Sequence, residues 1–406
     1  MNKILLWLVG QLGLISTMFA PVYKIKLHKQ RLTTLLKHRQ KLLQQGAFSL
    51  ARFNVIDTQL LNHLYTLSDL KSDAPTDYFA GQNLTQVSEL TWQALCELAL
   101  NNSEHFEIYS LVAADLFATS ITDVTAYFNE LRNAQQLTHY ELLQHNVDHW
   151  QLKDLKALRT SVLEGKEKPP EVVKKILFSQ SLTTSELHAA ISHEDFTIAF
   201  AALINSYSAG HDDVSDKLFK VFSKTADEQQ KAQLLALAGL LNDTRWYEPC
   251  SLFCKANPEY CSFVLSHFVF KQALPLVMEL MAIAVTQQSA YAAWLTLTDR
   301  PLAKAEKMSV VTANNAAQPQ SGINLDDAEH ARQAFAMQGG EQLLMGISFS
   351  KANSAQQLAK LAGPIVQRVI APHFQHSIAC GLFHVQQSAS QWQLLLSEKL
   401  ENVNVA

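Results

Sequence analysis

The chain has 406 residues, 48% of them hydrophobic and 17% charged. It is too apolar for a disordered polypeptide and long enough for two or three domains or one long repeat array. Its 13 glycines and 11 prolines are about half the usual combined share of roughly 12%, which disfavours an all-β sandwich or a loop-rich nucleotide fold. With 33 basic and 37 acidic residues the formal net charge is -4, so there is no basic field to draw the chain to nucleic acid.

Lys3 precedes an apolar run from Ile4 to Ile15. Gly10, Gln11 and Gly13 interrupt it, and it is shorter than the roughly 20 apolar residues of a bilayer span; no stable membrane insertion is expected. Residues 1–21 read as an apolar leader or an N-terminal extension, with Met18 as an alternative start. Phe19-Ala20 could end a signal peptide, but Met18 sits where cleavage favours a small residue. Lys24, Lys26, Lys29 and Arg31 follow, and positive charge there opposes translocation. The expected location is cytoplasmic, with a periplasmic alternative if residues 1–20 are a cleaved signal. Cys96, Cys250, Cys254, Cys261 and Cys380 are odd in number in a long chain, which favours a reducing compartment over a disulfide framework.

Residues 22–46 predict a basic helix ended by Gly46, a residue suited to a left-handed cap. Leu27, Leu32, Leu35, Leu36 and Leu42 give it an apolar side, while Lys26, Lys29, Lys37 and Lys41 scatter around the cylinder. That is a soluble amphipathic helix in preference to a site for an anionic partner. Ser49 is placed to cap a second helix through Leu50, Phe53, Ile56, Leu60, Leu61 and Leu64. A polar break, Ser72 to Asn83, holds Pro75 and Gly81.

From Leu84 the helical period recurs. Val87, Leu90, Ala94 and Leu98 repeat at three-and-four spacing. So do Val214, Leu218, Val221 and Phe222; Leu234, Leu237, Ala238 and Leu241; and Val277, Leu280, Met281 and Ala284. Each set places one apolar stripe on one side of a helix. Ser120-x-x-Asp123, Thr183-x-x-Glu186 and Thr225-x-x-Glu228 read as capping boxes or their aspartate relatives. Pro169 and Pro170 suit a first helical turn at Glu171, and Gly165 and Gly210 sit where helices should stop. The expected fold is all-α: a HEAT-like α-solenoid of antiparallel helix pairs, with a globular bundle as the alternative.

Lys304 to Asn324, rich in Ala, Asn and Gln and broken by Pro319 and Gly322, predicts a linker. The expected domains are therefore a helical-repeat domain over 22–302, a linker over 303–324 and a small C-terminal cap over 325–406. In the cap, 325–337 reads as a helix that meets Gly339-Gly340. Leu343 to Ser350 and Leu382 to Gln386 read as short strands of a β-ribbon, and 354–362 and 391–400 as helices.

No motif names a reaction. Cys250-x-x-x-Cys254 aligns two thiols on one helical face, with Cys261 beyond Pro258 and His267 as the nearest fourth zinc ligand. The spacing is not that of paired zinc ligands, and small buried thiols are the expected reading. Glu141, His145 and His149 align along a helix but lack the order that sets a general base beside zinc. Pro372-His373-x-x-His376 is equally weak, and no nucleophile elbow, Walker loop or dinucleotide turn is present. No catalytic, cofactor-binding or metal-binding residue is assigned, and the protein is not expected to be an enzyme.

Three stretches resemble a family of bacterial HEAT-like proteins of about this length. The first is His28 through Arg39 with Ser49-Leu50-Ala51, Ile56-Asp57 and His63-Leu64. The second is Ala238-Gly239-Leu240-Leu241-Asn242-Asp243-Thr244-Arg245-Trp246 with Tyr291 to Leu302. The third is Phe335-Ala336-Met337-Gln338-Gly339-Gly340 with Leu344-Met345-Gly346. The resemblance runs over nearly the whole chain from residue 22. It departs from the family pattern at Glu341, where a basic residue is expected, and in a tail whose one echo of an arginine-rich pattern is Gln367-Arg368. Members have no assigned activity, and their genes often lie beside type VI secretion spike and adaptor genes. The resemblance implies an α-solenoid in a secretion-related setting. The expected function is a non-catalytic interaction scaffold or adaptor whose partner is a secretion component or its cargo. An exported envelope-associated helical protein and an enzyme with an unrecognised site in the helical groove are the alternatives.

Overall fold

The computed structural model describes residues 2–70, with side chains from 23 onward; parts of 87–117 and 152–180; and 181–304, 322–370 and 372. The protein is mostly helical, with a few short strands. Its residues fall into two compact units. One holds Met1–Gln44, Ser49–His149 and Phe383–Ala406, the other Gln45–Phe48 and Trp150–Leu382. Both flanks of the expected 303–324 linker belong to the second unit.

In the first unit α1 (Asn2–Leu43) is one continuous helix, so the expected 22–46 helix begins further upstream and ends at Leu43. Gly46 beyond it takes the left-handed φ of 72°. After β1 (Phe48–Ser49), α2 (Leu50–Asp69) begins where Ser49 accepts a hydrogen bond from the Arg52 N–H at 3.4 Å. Phe53, Ile56, Leu60 and Leu64 are buried in the α1–α2 packing, together with Leu32 and Leu42 of α1. Arg39 donates to Asp57 at 2.9 Å with both side chains almost wholly desolvated, and its guanidinium lies 4.9 Å from the centre of the Phe53 ring. His28 and His63 meet Nδ1 to Nδ1 at 2.9 Å. Both pairs join one helix to the other. Against α2 packs α3 (Phe106–Phe117), where the Tyr65 hydroxyl donates to Asp115.

The expected single stripe from Val87 to Leu98 is broken. Val87, Leu90 and Leu98 are buried, but Leu90 and Thr91 are not helical. Thr91 Oγ1 accepts from the Ala94 N–H at 3.2 Å, so a new helix starts there.

The second unit begins with α4 (Leu152–Leu163), stopped before Gly165 at φ 73°. Then follow α5 (Thr184–Ile191), α6 (Phe196–Ser208), α7 (Val214–Lys224) and α8 (Glu228–Ala238). The Thr183–Glu186 capping box forms as predicted, and Glu186 also faces the buried Arg159 of α4 at 3.4 Å. Gly210, at φ 74°, follows the end of α6. The Thr225 box does not form. Thr225 closes α7 in an extended conformation, its hydroxyl donating to the Val221 carbonyl, and Asp227 caps α8 by accepting from the Gln230 N–H at 2.8 Å. A carboxylate one residue before the helix reaches that N–H where a threonine two residues further back does not.

Next come α9 (Tyr247–Ala256), α10 (Pro258–Leu265), α11 (Leu274–Met281) and α12 (Gln287–Thr298). Ala284, expected on the α11 stripe, is exposed beyond its end. The helices pack α5 on α6, α7 on α8, α9 on α10 and α11 on α12. In addition α6 packs on α8, α8 on α10, α10 on α12, and α9 on α11. The second half of α8 is buried all round, from Leu234 to Ala238, as its neighbours α6, α7 and α10 require.

The stretch from Gly239 to Trp246 turns the chain from α8 into α9. A Cβ on Gly239 would lie 2.7 Å from the His267 backbone, so glycine permits that approach. Trp246 is fully buried, and its indole N–H donates to Ser215 of α7 at 2.8 Å. Arg245 bridges Asp243 and Asp216 at 2.7 and 2.9 Å.

Lys304 and Ile323, at the ends of the expected linker, pair with each other, and Asn324 caps α13 (Leu325–Ala336). Where one strand was expected over 343–350, the chain turns back on itself as a hairpin: β2 (Gln342–Leu344) antiparallel to β3 (Ile347–Phe349), with Leu343 opposite Ser348. Its turn residues Met345 and Gly346 have φ of 49° and 72°, the positive pair a two-residue hairpin demands. Their N–H groups donate to Thr296 and Leu297 at 2.9 and 3.0 Å, satisfying carbonyls at the C-terminus of α12. The expected helix 354–362 is instead α14 (Ser354–Gln357), a single tight turn and β4 (Leu361–Ala362); α15 (Pro364–Ile370) follows. Gly363, at φ 120° against the Gly46 carbonyl, and Pro364 enforce the break. Phe48 belongs to this unit and pairs through β1 with β4, and Ile365 donates to Gly46 at 2.9 Å.

The capping pair Ser120 and Asp123, Pro169 and Pro170, and the elements expected at 382–386 and 391–400 lie outside the described residues, as does the linker interior. Among the described residues no helix is long and apolar enough to cross a membrane.

Candidate functional site

Two groups in the second unit bear on the candidate chemistry. The first is the thiol set. Cys250 and Cys254 of α9 and Cys261 of α10 are all buried and free. The neighbouring Cys250 thiol and burial push Cys254 well above the ordinary cysteine range, against a lowering influence of Cys261, and Cys254 and burial push Cys261 up likewise. Protonated thiols at this depth behave as small apolar groups between packed helices. His267, the fourth ligand weighed from the sequence, turns away to other partners.

His267 belongs to the second group. Its ring is 2% exposed, Nδ1 lies 2.8 Å from the Phe263 carbonyl and Nε2 lies 3.0 Å from Nη1 of Arg368. A guanidinium only donates, so Nε2 must accept and Nδ1 must carry the proton. Burial and the Arg368 charge together hold the imidazole down to about 3, so it is neutral throughout the physiological range. Arg368 comes from α15 and Tyr207 from α6. Burial pulls the guanidinium below its usual range and pushes the phenol up, and the two interact electrostatically. Both side chains are half-buried.

The sequence did not point to this group. Its members are separated by up to 161 positions, between Tyr207 and Arg368, and His267 alone had a chemical reading, as a zinc ligand beside the three cysteines. Arg368 had been noted only as part of Gln367-Arg368. In the first unit the basic stretch Lys24 to Lys41 lies on α1, with Arg39 turned inward to Asp57. Glu141, His145, His149, His373, His376, Cys96 and Cys380 lie outside the described residues. Exposed apolar side chains stand at Phe219, Leu252, Phe263, Val285 and Met337.

No protein-family model matches the chain, and neither does any curated protein or solved structure.

Proposed function

We propose that the chain is a non-catalytic helical-repeat scaffold that presents a surface of stacked helix pairs to another protein. The supporting observation is the order of packing from α5 to α12. Consecutive helices pair, and one member of each pair packs on the matching member of the next, in the row α6, α8, α10, α12. Units that bury their apolar faces on their sequence neighbours are the basis of a HEAT-like solenoid. The hairpin bonded to the end of α12 then serves as an end cap. Leu252 and Val285, more than half exposed, are apolar contacts suited to a partner.

The partner is a type VI secretion component or its cargo, and the location is cytoplasmic. Both rest on the resemblance of the three stretches and on the leader's sequence. The test is binding of the purified full chain to recombinant type VI secretion spike and adaptor proteins, with Leu252→Glu and Val285→Glu as variants that leave the core untouched. Binding weakened about tenfold or more by either variant is expected. Absence of binding to all of them, or a mature N-terminus after Ala20 in cells, would overturn the assignment.

A further inference from the structure

The first acidic residue of the chain is Asp57, and six lysines and three arginines precede it. A polypeptide of net charge -4 therefore carries a concentrated positive field along α1. Asp57 itself is committed to Arg39. Because α1 is a single helix from Asn2 to Leu43, the apolar run that begins at Ile4 and the basic stretch are two halves of one rod. That rod is about 60 Å long, about twice the length of α2. His28 meets His63 near the end of α2, and Arg39 meets Asp57. α2 accordingly lies along the basic half.

Those contacts fix which face of the basic half looks away from α2. His28, Leu32, Arg39 and Leu42 stand on the α2 side, and Lys26, Lys37 and Lys41 are exposed on the opposite one. Followed toward Asn2 at intervals of three and four residues, the line of Lys26 passes Tyr23, which is 69% exposed. It then runs through the positions of Phe19, Ile15, Leu12 and Leu8. One stripe of one helix is apolar, then aromatic, then cationic.

We propose that this face of α1 lies along an anionic phospholipid bilayer, with the positions from Leu8 to Phe19 in the interfacial layer, Tyr23 at its edge, and Lys26, Lys37 and Lys41 against the headgroups. A bilayer surface offers both chemistries in one plane, anionic phosphate above and hydrocarbon beneath. Either attraction alone gives marginal attachment, and the two together hold. Tyrosine suits the boundary between the wet and apolar layers. The association is peripheral, because Gly10, Gln11 and Gly13 interrupt the run, and a helix in the interface needs one apolar face and not an apolar circumference. Nucleic acid would engage the lysines but leave the apolar half of the stripe without a role. The membrane face is independent of the scaffold reading, which rests on other helices.

The experiment is sedimentation of the purified full chain with phosphatidylcholine vesicles, alone or with about a third phosphatidylglycerol. The chain is expected to sediment with the anionic vesicles and not with the neutral ones, and to be released by about 0.5 M sodium chloride. Lys26→Gln, Lys37→Gln and Lys41→Gln combined weaken binding about a hundredfold. Leu8→Ser with Leu12→Ser weakens it about tenfold. The three lysines are exposed, so their variant keeps the wild-type melting temperature, and the salt response of the wild type probes the same contact without any substitution. No sedimentation with anionic vesicles, equal sedimentation with neutral ones, or wild-type affinity in either variant overturns the proposal. Retention on the vesicles in alkaline carbonate, the mark of a spanning helix, also overturns it, as does duplex DNA bound more tightly than the anionic vesicles.

Discussion

Arg39 and Asp57 show what a single side chain does when it is buried with the right neighbour. Removing one partner leaves the other charged and desolvated, so Asp57→Ala is expected to cost about 3–5 kcal/mol, whereas Arg39→Met with Asp57→Leu costs much less. Urea unfolding of the three proteins checks the difference. His267 makes a different kind of contribution. It stays neutral in the native state down to about 3, while the unfolded chain binds a proton near 6.5. Between those values the unfolded state holds more protons, so stability falls as pH is lowered through this window. The loss between pH 6.5 and pH 5 is about 2 kcal/mol, and His267→Gln, which keeps an acceptor for Arg368, removes that slope. Unfolding curves at pH 7, 6 and 5 with no difference between the two proteins would contradict it.

At the scale of the element, caps and glycines decide where helices begin and how closely they approach. Thr183→Ala removes half of a formed capping box and is expected to cost about 1 kcal/mol. Asp227→Ala costs a similar amount, and Thr225→Ala less, because Asp227 and not Thr225 accepts from the first turn of α8. Gly239→Ala would drive a methyl into the backbone of His267 and the ring of Phe268; overpacking of that kind costs about 1–3 kcal/mol. Equilibrium denaturation ranks the four variants. The same elements show how far local pattern can be read. The stops at Gly165 and Gly210 and the cap at Ser49 were legible, because each depends on φ sign or on a reach of two or three residues; the hairpin turn at Met345-Gly346, inside what reads as one strand, was not. The 354–362 segment was misread, because its apolar spacing mimics a helix while Gly363 and the Gly46 carbonyl, far away in sequence, dictate the break.

For the whole molecule the question is whether α5 to α12 unfold together or pair by pair. A stack held by nearest-neighbour interfaces loses protection locally. Leu203→Ala, in the buried face of α6, is expected to cost about 2–5 kcal/mol and to raise hydrogen exchange in α5 to α8, leaving α9 to α12 protected. Uniform loss of protection across 184–298 would favour one cooperative bundle over stacked pairs. Division into units also lay beyond the reach of composition. The Ala- and Asn-rich stretch after Lys304 looks like a boundary, yet its ends pair with each other and the hairpin beyond it bonds to α12.

What the amino-acid order determined alone was the helical character, most helix ends and the absence of a recognisable reaction motif. All of these arise from interactions among residues a few positions apart, where 3.6-residue periodicity and backbone sterics leave few choices. Tertiary structure decided which helix meets which, why α8 is wrapped on every side, and that Tyr207, His267 and Arg368 share one place. Periodicity marks a face as apolar without saying what will cover it. The surroundings of a charge, and hence its pairing and its use, exist only once distant segments have packed.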